Sequence, residues 1–428
     1  MSKRNITVKE YDRIYANQIY GEVLITKRDI EELREAIDTE NTSQNDETSL
    51  DNFLKPIRGG VQVNHYVGVI QTRSGLTIEI LPKIYSKDSS HSTEDLRNLF
   101  WKMLTSVREI NGKVFRMSHL NIKQANLLEI FIAMFLSEVE VVIKKGMKSS
   151  YITVEDNVSY LKGKLLMKEH LQRNMVDASK FYSEFDAFLL DSPENIILRI
   201  CLEFVLKVTQ DKSNHKLASE LFIYFESIEK VQNVSPLFSK IHLSRSHLHY
   251  KQALIWSELF IKGYSFTTFT GDALAFAILF PMEKIFESYI SQLIKTALPE
   301  METNFQEQQL WLFDNSNGSQ NTYRLRPDIV VRSNDNQVVI GDTKWKVLTS
   351  KGPLQSDLYQ MYAYFTRYQQ RGEKIKKVVL IYPYSDDYKE QTFCSYQGEA
   401  LMAKIEVRYV NLFDVNLVEL IRQMFLNK

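Results

Sequence analysis

The period of the apolar residues changes several times along the chain, and each change marks an element. In "GGVQVNHYVGVIQTRSGLTIEILPKIY", Val61, Val63, Val67 and Val69 fall on one parity, and Leu76, Ile78 and Ile80 alternate again beyond Arg73-Ser74-Gly75. Period two on both sides of a Ser-Gly turn predicts a β-hairpin, which Pro82 ends. From about 94 to 145 the pattern is helical. "TEDLRNLFWKMLTSVREI" opens on a Thr93 N-cap, and "QANLLEIFIAMFLSEVEVVIKKG" closes on Lys144, Lys145 and Gly146. Strand-turn-strand character returns around Gly163, and 184–260 reads as mostly helical, opening at "DSPENIILRICLEFVLKVT". In "GDALAFAILFPMEKIFESYISQLIKTAL", Ile278, Met282, Ile285, Phe286, Tyr289 and Leu293 are spaced as one helix face.

The C-terminal pattern differs. "RLRPDIVVRSNDNQVVIGDTKWK" holds two apolar runs joined by a polar turn, and "DLYQMYAYFTRYQQRG" reads as a helix. The strands "KKVVLIYPY" and "IEVRYVNLF" and a last helix, "VNLVELIRQMFLN", follow. The order over 275–428 predicts a small mixed α/β domain. The expectation for the whole chain is an α+β multidomain protein. A β-rich N-terminal domain spans 1–165, a helical neck 166–265, and a mixed α/β domain 266–428. The polar stretch 38–52 reads as an inserted loop.

Composition narrows the setting more than the chemistry. The 428 residues are 44% hydrophobic and 25% charged with zero formal net charge, so any nucleic-acid surface must be a local patch. Two cysteines far apart, Cys201 and Cys394, exclude a disulfide framework and a Cys-rich zinc site. No apolar run reaches the ~18 residues a membrane span needs. The first residues show no secretory h-region, so the expected location is the cytoplasm.

The chemistry concentrates in the last hairpin. Asp328 precedes one apolar run and Asp342 ends the next, so an antiparallel pairing can bring the two carboxylates together. Asp342 and Lys344, at i and i+2, share a strand face, with Thr343 turned the other way. A buried carboxylate needs a partner or a metal. Two carboxylates with the Thr343 carbonyl make a hard oxygen site suited to Mg²⁺, which keeps waters and takes a phosphate oxygen. Lys344 beside it can orient or deprotonate a water and stabilise developing charge, as phosphodiester hydrolysis requires. Arg324, Arg326, Lys346, Arg367 and Arg371 lie nearby in sequence and are candidates for the phosphate backbone; a mixed solvated surface is the plainer reading.

Pro327-Asp328 with Asp342-Thr343-Lys344 resembles the PD-(D/E)xK nuclease superfamily. A second DxK match, Asp387–Lys389, lacks the preceding Pro-Asp and a buried strand. Gln360 and Tyr364, at i and i+4, are similar to the QxxxY element of the RecB-like branch, although plain amphipathicity also explains them. Glu287 in "MEKIFESYI" is placed like that branch's helix glutamate, with Glu283 as competitor. More widely, "YVGVIQTRSGLTIEILPKI", "LLEIFIAMFLSEVEVVIKKG", "DSPENIIL", "FPMEKIFESYI", "RPDIVV", "GDTKWK" and "DLYQMYAY" occur in the order of the McrC family, over about 60 to 383. That resemblance implies a DNA-cutting subunit with Mg²⁺, in which Asp328, Asp342 and Glu287 would hold the metal. It also implies an N-terminal part that enters the pore of a hexameric AAA+ GTPase of McrB type and stimulates GTP hydrolysis. The reader of modified cytosine would be in that partner.

No GxxxxGK[ST] loop occurs, so the chain is not expected to have a GTP site of its own. His242, His247 and His249 lie close together but lack other metal ligands nearby, and hydrogen-bonded histidines are the simpler reading. Two other functions fit the same residues. One is an adaptor for an AAA+ partner with an incidental nuclease centre, and the other is a self-sufficient RecB-like nuclease.

Overall fold

The computed structural model describes residues 4–40, 53–84, 91–107, 126–176, 179–231, 234–261, 274–314, 322–333, 335–348, 350–385, 389–397 and 400–426. The expected loop at 38–52 falls almost wholly outside these. The protein is α+β with mixed sheets. It forms two compact units, one of Met1–Val114 with Ser265–Lys428 and one of Phe115–Tyr264. This differs from the segments 1–165, 166–265 and 266–428. The cause is a long-range strand pairing that local pattern does not reveal.

That pairing lies in the first unit. Its four-stranded sheet runs Arg4–Lys9, Leu76–Leu81, Tyr66–Thr72, Leu274–Pro281. The first pair is parallel and the others antiparallel. Leu274–Pro281 is therefore a strand, not the start of the helix face on which Ile278 was placed. Pro281 has no amide hydrogen to continue a helix, and the helix begins after it, at Met282–Ala297. The two strands approach so closely at Gly68, φ +148, that a Cβ there would lie 1.9 Å from the Ile278 carbonyl oxygen. The alternating valines likewise divide. Gly60–Val63 pairs with Leu54–Ile57 and Arg13–Tyr15 in a separate sheet, and only Tyr66–Thr72 forms the hairpin with Leu76–Leu81. Ile30, Leu33 and Ile37 of the helix Lys27–Glu40 share one core with Val61, Ile70, Ile78 and Leu279.

The same unit carries a six-stranded sheet, in the order Glu302–Phe305, Ile329–Arg332, Gln337–Thr343, Lys374–Pro383, Ala400–Val410, Gln391–Gln397. Gln337–Thr343 and Lys374–Pro383 are parallel, joined through the helix Gln355–Gln370. Met361, Tyr364, Phe365 and Tyr368 of that helix pack with Val338, Ile340, Val378 and Leu380. The strand Gln391–Gln397 was not expected; it is partly exposed and pairs only along one side.

In the second unit the helices Leu127–Lys145, Pro193–Val208, Lys212–Phe222 and Lys251–Ile261 surround Phe131, Phe135, Trp256 and Phe260. Gly146 ends the first of them, as expected. Ser192 caps the second, with Pro193 opening it. Phe181–Leu189, expected to lie at a helical stretch, is a strand paired with Ser150–Val158 and Lys164–Leu165. In the first unit the cap of Thr93–Leu104 is Ser92 rather than Thr93, because Ser92 and Asp95 form a capping box.

Candidate active site

Register builds the centre. Ile329 stands opposite Gly341 and Val330 opposite Ile340, so one further step sets Asp328 against Asp342. The apolar runs on both strands are buried, which fixes that register: a one-residue slip would turn the core face outward. Asp342 shares the parity of Val338 and Ile340, the face covered by the helix Gln355–Gln370.

The groups are tied by short contacts. Lys344 Nζ lies 2.6 Å from Asp342 Oδ2 and donates to Gln360 Oε1 at 3.0 Å. Gln360 Nε2 donates to Tyr364 Oη at 2.8 Å, and that hydroxyl donates to the Arg326 carbonyl at 3.1 Å. Gln360 and Tyr364 thus form a chain that holds Lys344 from the helix. Thr343 was expected to turn away, yet its amide and hydroxyl both donate to Asp328 Oδ2, at 2.7 and 2.8 Å. Of the competing glutamates, Glu287 faces Asp328 and lines the same cavity. Glu283 is exposed and acts electrostatically on Glu10 and Tyr66 instead.

Burial and mutual repulsion set the charges. Burial, with Asp328 nearby, pushes the Asp342 carboxyl up to about 7 despite Lys344. The same two causes push Glu287 up to about 7. Asp328 is raised by burial, against the two hydrogen bonds from Thr343. Burial works to lower the Lys344 ammonium, but Asp342 and Asp328 outweigh it and leave it raised. Asp342 Oδ2 is buried with the Lys344 ammonium 2.6 Å away. Two neighbouring buried carboxyl groups that share one ammonium suit a hard cation.

Among the described residues no three His, Cys, Asp or Glu side chains close into one metal-holding group. Register brings the carboxylates of Asp328 and Asp342 to adjacent strand ends, and Glu287 Oε1 accepts from Gln306 Nε2 at 2.6 Å. The donor set nonetheless fits Mg²⁺, which is commonly held by one or two carboxylates and several waters. The histidine trio is accounted for otherwise: His249 contacts the Gly146 carbonyl, His247 the Ser244 hydroxyl, and His242 the Lys240 carbonyl. Of Asp387–Lys389, only Lys389 lies within the described residues.

A cavity of about 670 Å³ opens on Glu287 and Asp328. One helix face supplies Lys284, Ser288, Ser291, Gln292 and Lys295, and Arg326 stands across from it. Of the five candidate cations, only Arg326 lines this cavity. Arg324 lies over the Trp311 ring, Lys346 pairs with Asp357, Arg367 with Asp314, and Arg371 donates to Gln309. Sequence reasoning missed Lys284 and Lys295 because they belong to an ordinary amphipathic helix. It missed Gln306 because no motif marks it. Gln306, at φ +52, bonds both Glu287 and Arg326, and its amide donates to the Asp328 carbonyl at 3.0 Å.

Residues 61–383 match the family described as McrBC 5-methylcytosine restriction system component. A chain of the tetradecameric Thermococcus gammatolerans assembly of McrB AAA+ hexamers with bound McrC has a similar fold. It aligns at TM-score 0.69 and 19% identity, with 99% of each chain covered. A chain of the Thermococcus gammatolerans McrBC complex aligns at TM-score 0.50 and 21% identity, over 69% of this chain and 88% of that one. No curated protein is a significant match. No described helix is long and apolar enough to cross a membrane. The family match spans most of the sequence, and the chain belongs to the McrBC restriction-system component family.

Proposed function

We propose that this McrBC-family chain is the Mg²⁺-dependent DNA-cutting subunit of a GTP-driven restriction complex, built on a PD-(D/E)xK nuclease domain. The observation that carries the reading is the pairing of Asp328 with Asp342 at adjacent strand ends, with Lys344 held on Asp342 by Gln360. A chain used only as an adaptor has no need for a lysine kept in contact with a carboxylate that is costly to ionise.

Asp328, Asp342 and the Thr343 carbonyl would hold Mg²⁺. The ion supplies Lewis-acid polarisation of a phosphodiester and a more acidic bound water. Lys344 positions the attacking water and balances charge on the phosphate. Glu287, whose carboxyl burial and Asp328 push up to about 7, can take or return a proton. Gln306 fixes its carboxyl at 2.6 Å. Lys284, Lys295 and Arg326 give the DNA backbone a cationic path to the centre, with Ser288 and Ser291 as neutral donors.

The partner in this reading is a hexameric AAA+ GTPase of McrB type, whose GTP hydrolysis the chain stimulates and which carries the reader of modified cytosine. The structural likeness to a chain from an assembly of McrB hexamers with McrC supports it. So do exposed apolar side chains of the second unit: Tyr160, Leu161, Met167, Leu171, Met175 and Val176 are each more than half exposed. The decisive experiment mixes the full chain with its McrB-type partner, GTP and Mg²⁺. Asp342→Ala is expected to abolish cleavage and leave GTPase stimulation intact. Cleavage that survives would refute this site, and stimulation that never occurs would refute the partner role.

A further inference from the structure

Trp345 directly follows Lys344 and is buried. Its indole N–H donates to both carboxylate oxygens of Glu10, each at 3.1 Å, across 335 positions of sequence. Glu10 stands just past the strand Arg4–Lys9 and is fully buried. Its amide donates to the Leu81 carbonyl at 3.1 Å, and the Lys83 amide donates to its Oε2 at 3.0 Å. The Trp345 ring meets the Phe286 ring with centroids 5.3 Å apart, and Phe286 precedes Glu287. The Lys344 amide donates to the Ile381 carbonyl at 2.9 Å.

A fully buried carboxylate is an expensive way to pack a tryptophan. Burial pushes the Glu10 carboxyl up to about 8, with Lys83 easing and Glu283 adding to the cost. Apolar residues of matching volume commonly replace buried polar pairs without loss of stability. What the pair provides is direction. A carboxylate shared evenly by one N–H fixes the plane of the indole as apolar contact does not.

We infer that Glu10 and Trp345 are positioning residues for the nuclease centre: Glu10 fixes the indole, which holds Lys344 on one side and, through Phe286, the helix of Glu287 on the other. This rests on the nuclease reading above. Neither residue touches the reacting atoms; both act through neighbours that do, as the outer partners of metal ligands do.

The test uses the full chain and two readouts: Mn²⁺ binding by titration calorimetry with the metal alone, and Mg²⁺-dependent cleavage with the McrB-type partner and GTP. Trp345→Phe keeps an aromatic ring beside Phe286 and removes the N–H together with part of the indole, a loss of volume that Glu10→Ala does not share. It is expected to weaken Mn²⁺ binding about 10–100-fold and to lower kcat at unchanged KM for DNA. Glu10→Gln, which keeps an acceptor, stays close to the parent, whereas Glu10→Ala follows Trp345→Phe. The double variant is no worse than either single one, because both remove the same contact. Unchanged Mn²⁺ affinity and kcat in Trp345→Phe would overturn the inference, as would losses that multiply in the double variant. A merely structural role lowers Tm and leaves both readouts of the folded protein where they were, which also overturns it. Asp342→Asn separates the two levels. If it loses metal and cleavage while Trp345→Phe loses neither, the positioning role alone falls. If it retains both, the nuclease reading falls with it.

Discussion

Two buried carboxylates in the same six-stranded sheet meet opposite fates. Glu406 and Asp342 are each 1% exposed. Around Glu406 stand Lys377 at 2.9 Å, Lys404 at 2.8 Å and Arg408 at 2.9 Å. Burial works to raise its carboxyl, but these three cations win and bring it down to about 2. Around Asp342 stands one ammonium, and burial with the carboxylates of Asp328 and Asp357 drives its carboxyl up to about 7. Neither side chain meets solvent, but Asp342 lies deeper and its neighbouring charges are of the opposite balance. Where a fold only needs a charge inside, it supplies cations in excess. Where the charge is in deficit, the Mg²⁺ of the proposed function would supply the missing cation.

The contrast can be broken from either end. The largest effect is expected from Asp342→Asn, which should reduce cleavage about 10²–10³-fold, the scale of losing one stabilising group at a catalytic centre. It should also raise Tm at pH 8. Glu406→Gln should do the reverse. Removing one member of a buried ion cluster costs about 3–5 kcal/mol, while the molecules still folded should cleave at the parental kcat. If Glu406→Gln proves neutral in a chemical melt, the two sites are not the opposites described.

Legibility from sequence followed the same division. Parity and apolar runs sufficed to bring Asp328 to Asp342, because a buried hairpin leaves one register. The i, i+4 spacing of Gln360 and Tyr364 put them on one helix face, and the structure joins both to Lys344. What stayed hidden was non-local. Leu274–Pro281 looked helical because its partner strand lies some 200 residues earlier. Glu10 is an unremarkable glutamate until Trp345 arrives, and Phe181–Leu189 alternates too weakly to show that it pairs. Ser92 outcompeted Thr93 as cap because Asp95 sits at the right step for Ser92.

A smaller effect sharpens the comparison through pH. The folded Asp342 carboxyl, at about 7, lies above its unfolded value. Its contribution therefore favours the fold below about pH 4 and is lost as pH rises through 7. Glu406, at about 2, contributes stability above its unfolded value that is lost as pH falls through 2. Thermal melts from pH 5 to 8 should show the Asp342→Asn advantage growing with pH, with no such trend for Glu406→Gln. Mg²⁺ should raise Tm more at pH 8 than at pH 6, because binding needs the ionised carboxylates, and EDTA should cancel that difference. The smallest effect belongs to Tyr364→Phe, which removes one hydroxyl from the chain behind Lys344. It should lower kcat by about tenfold, the net worth of one hydrogen bond, with KM for DNA unchanged in steady-state assays.

The strand Leu274–Pro281 has a consequence for how the molecule is made. Its partner, Tyr66–Thr72, leaves the ribosome about 200 residues earlier, a wait of roughly 10–40 s at about 5–20 residues per second. Throughout that interval the N-terminal sheet has an open edge, which invites pairing with other chains. The helix bearing Glu287 begins at Met282, directly after the closing strand. During synthesis, then, the open edge of the N-terminal sheet is closed just before the helix that carries Glu287 of the proposed centre emerges.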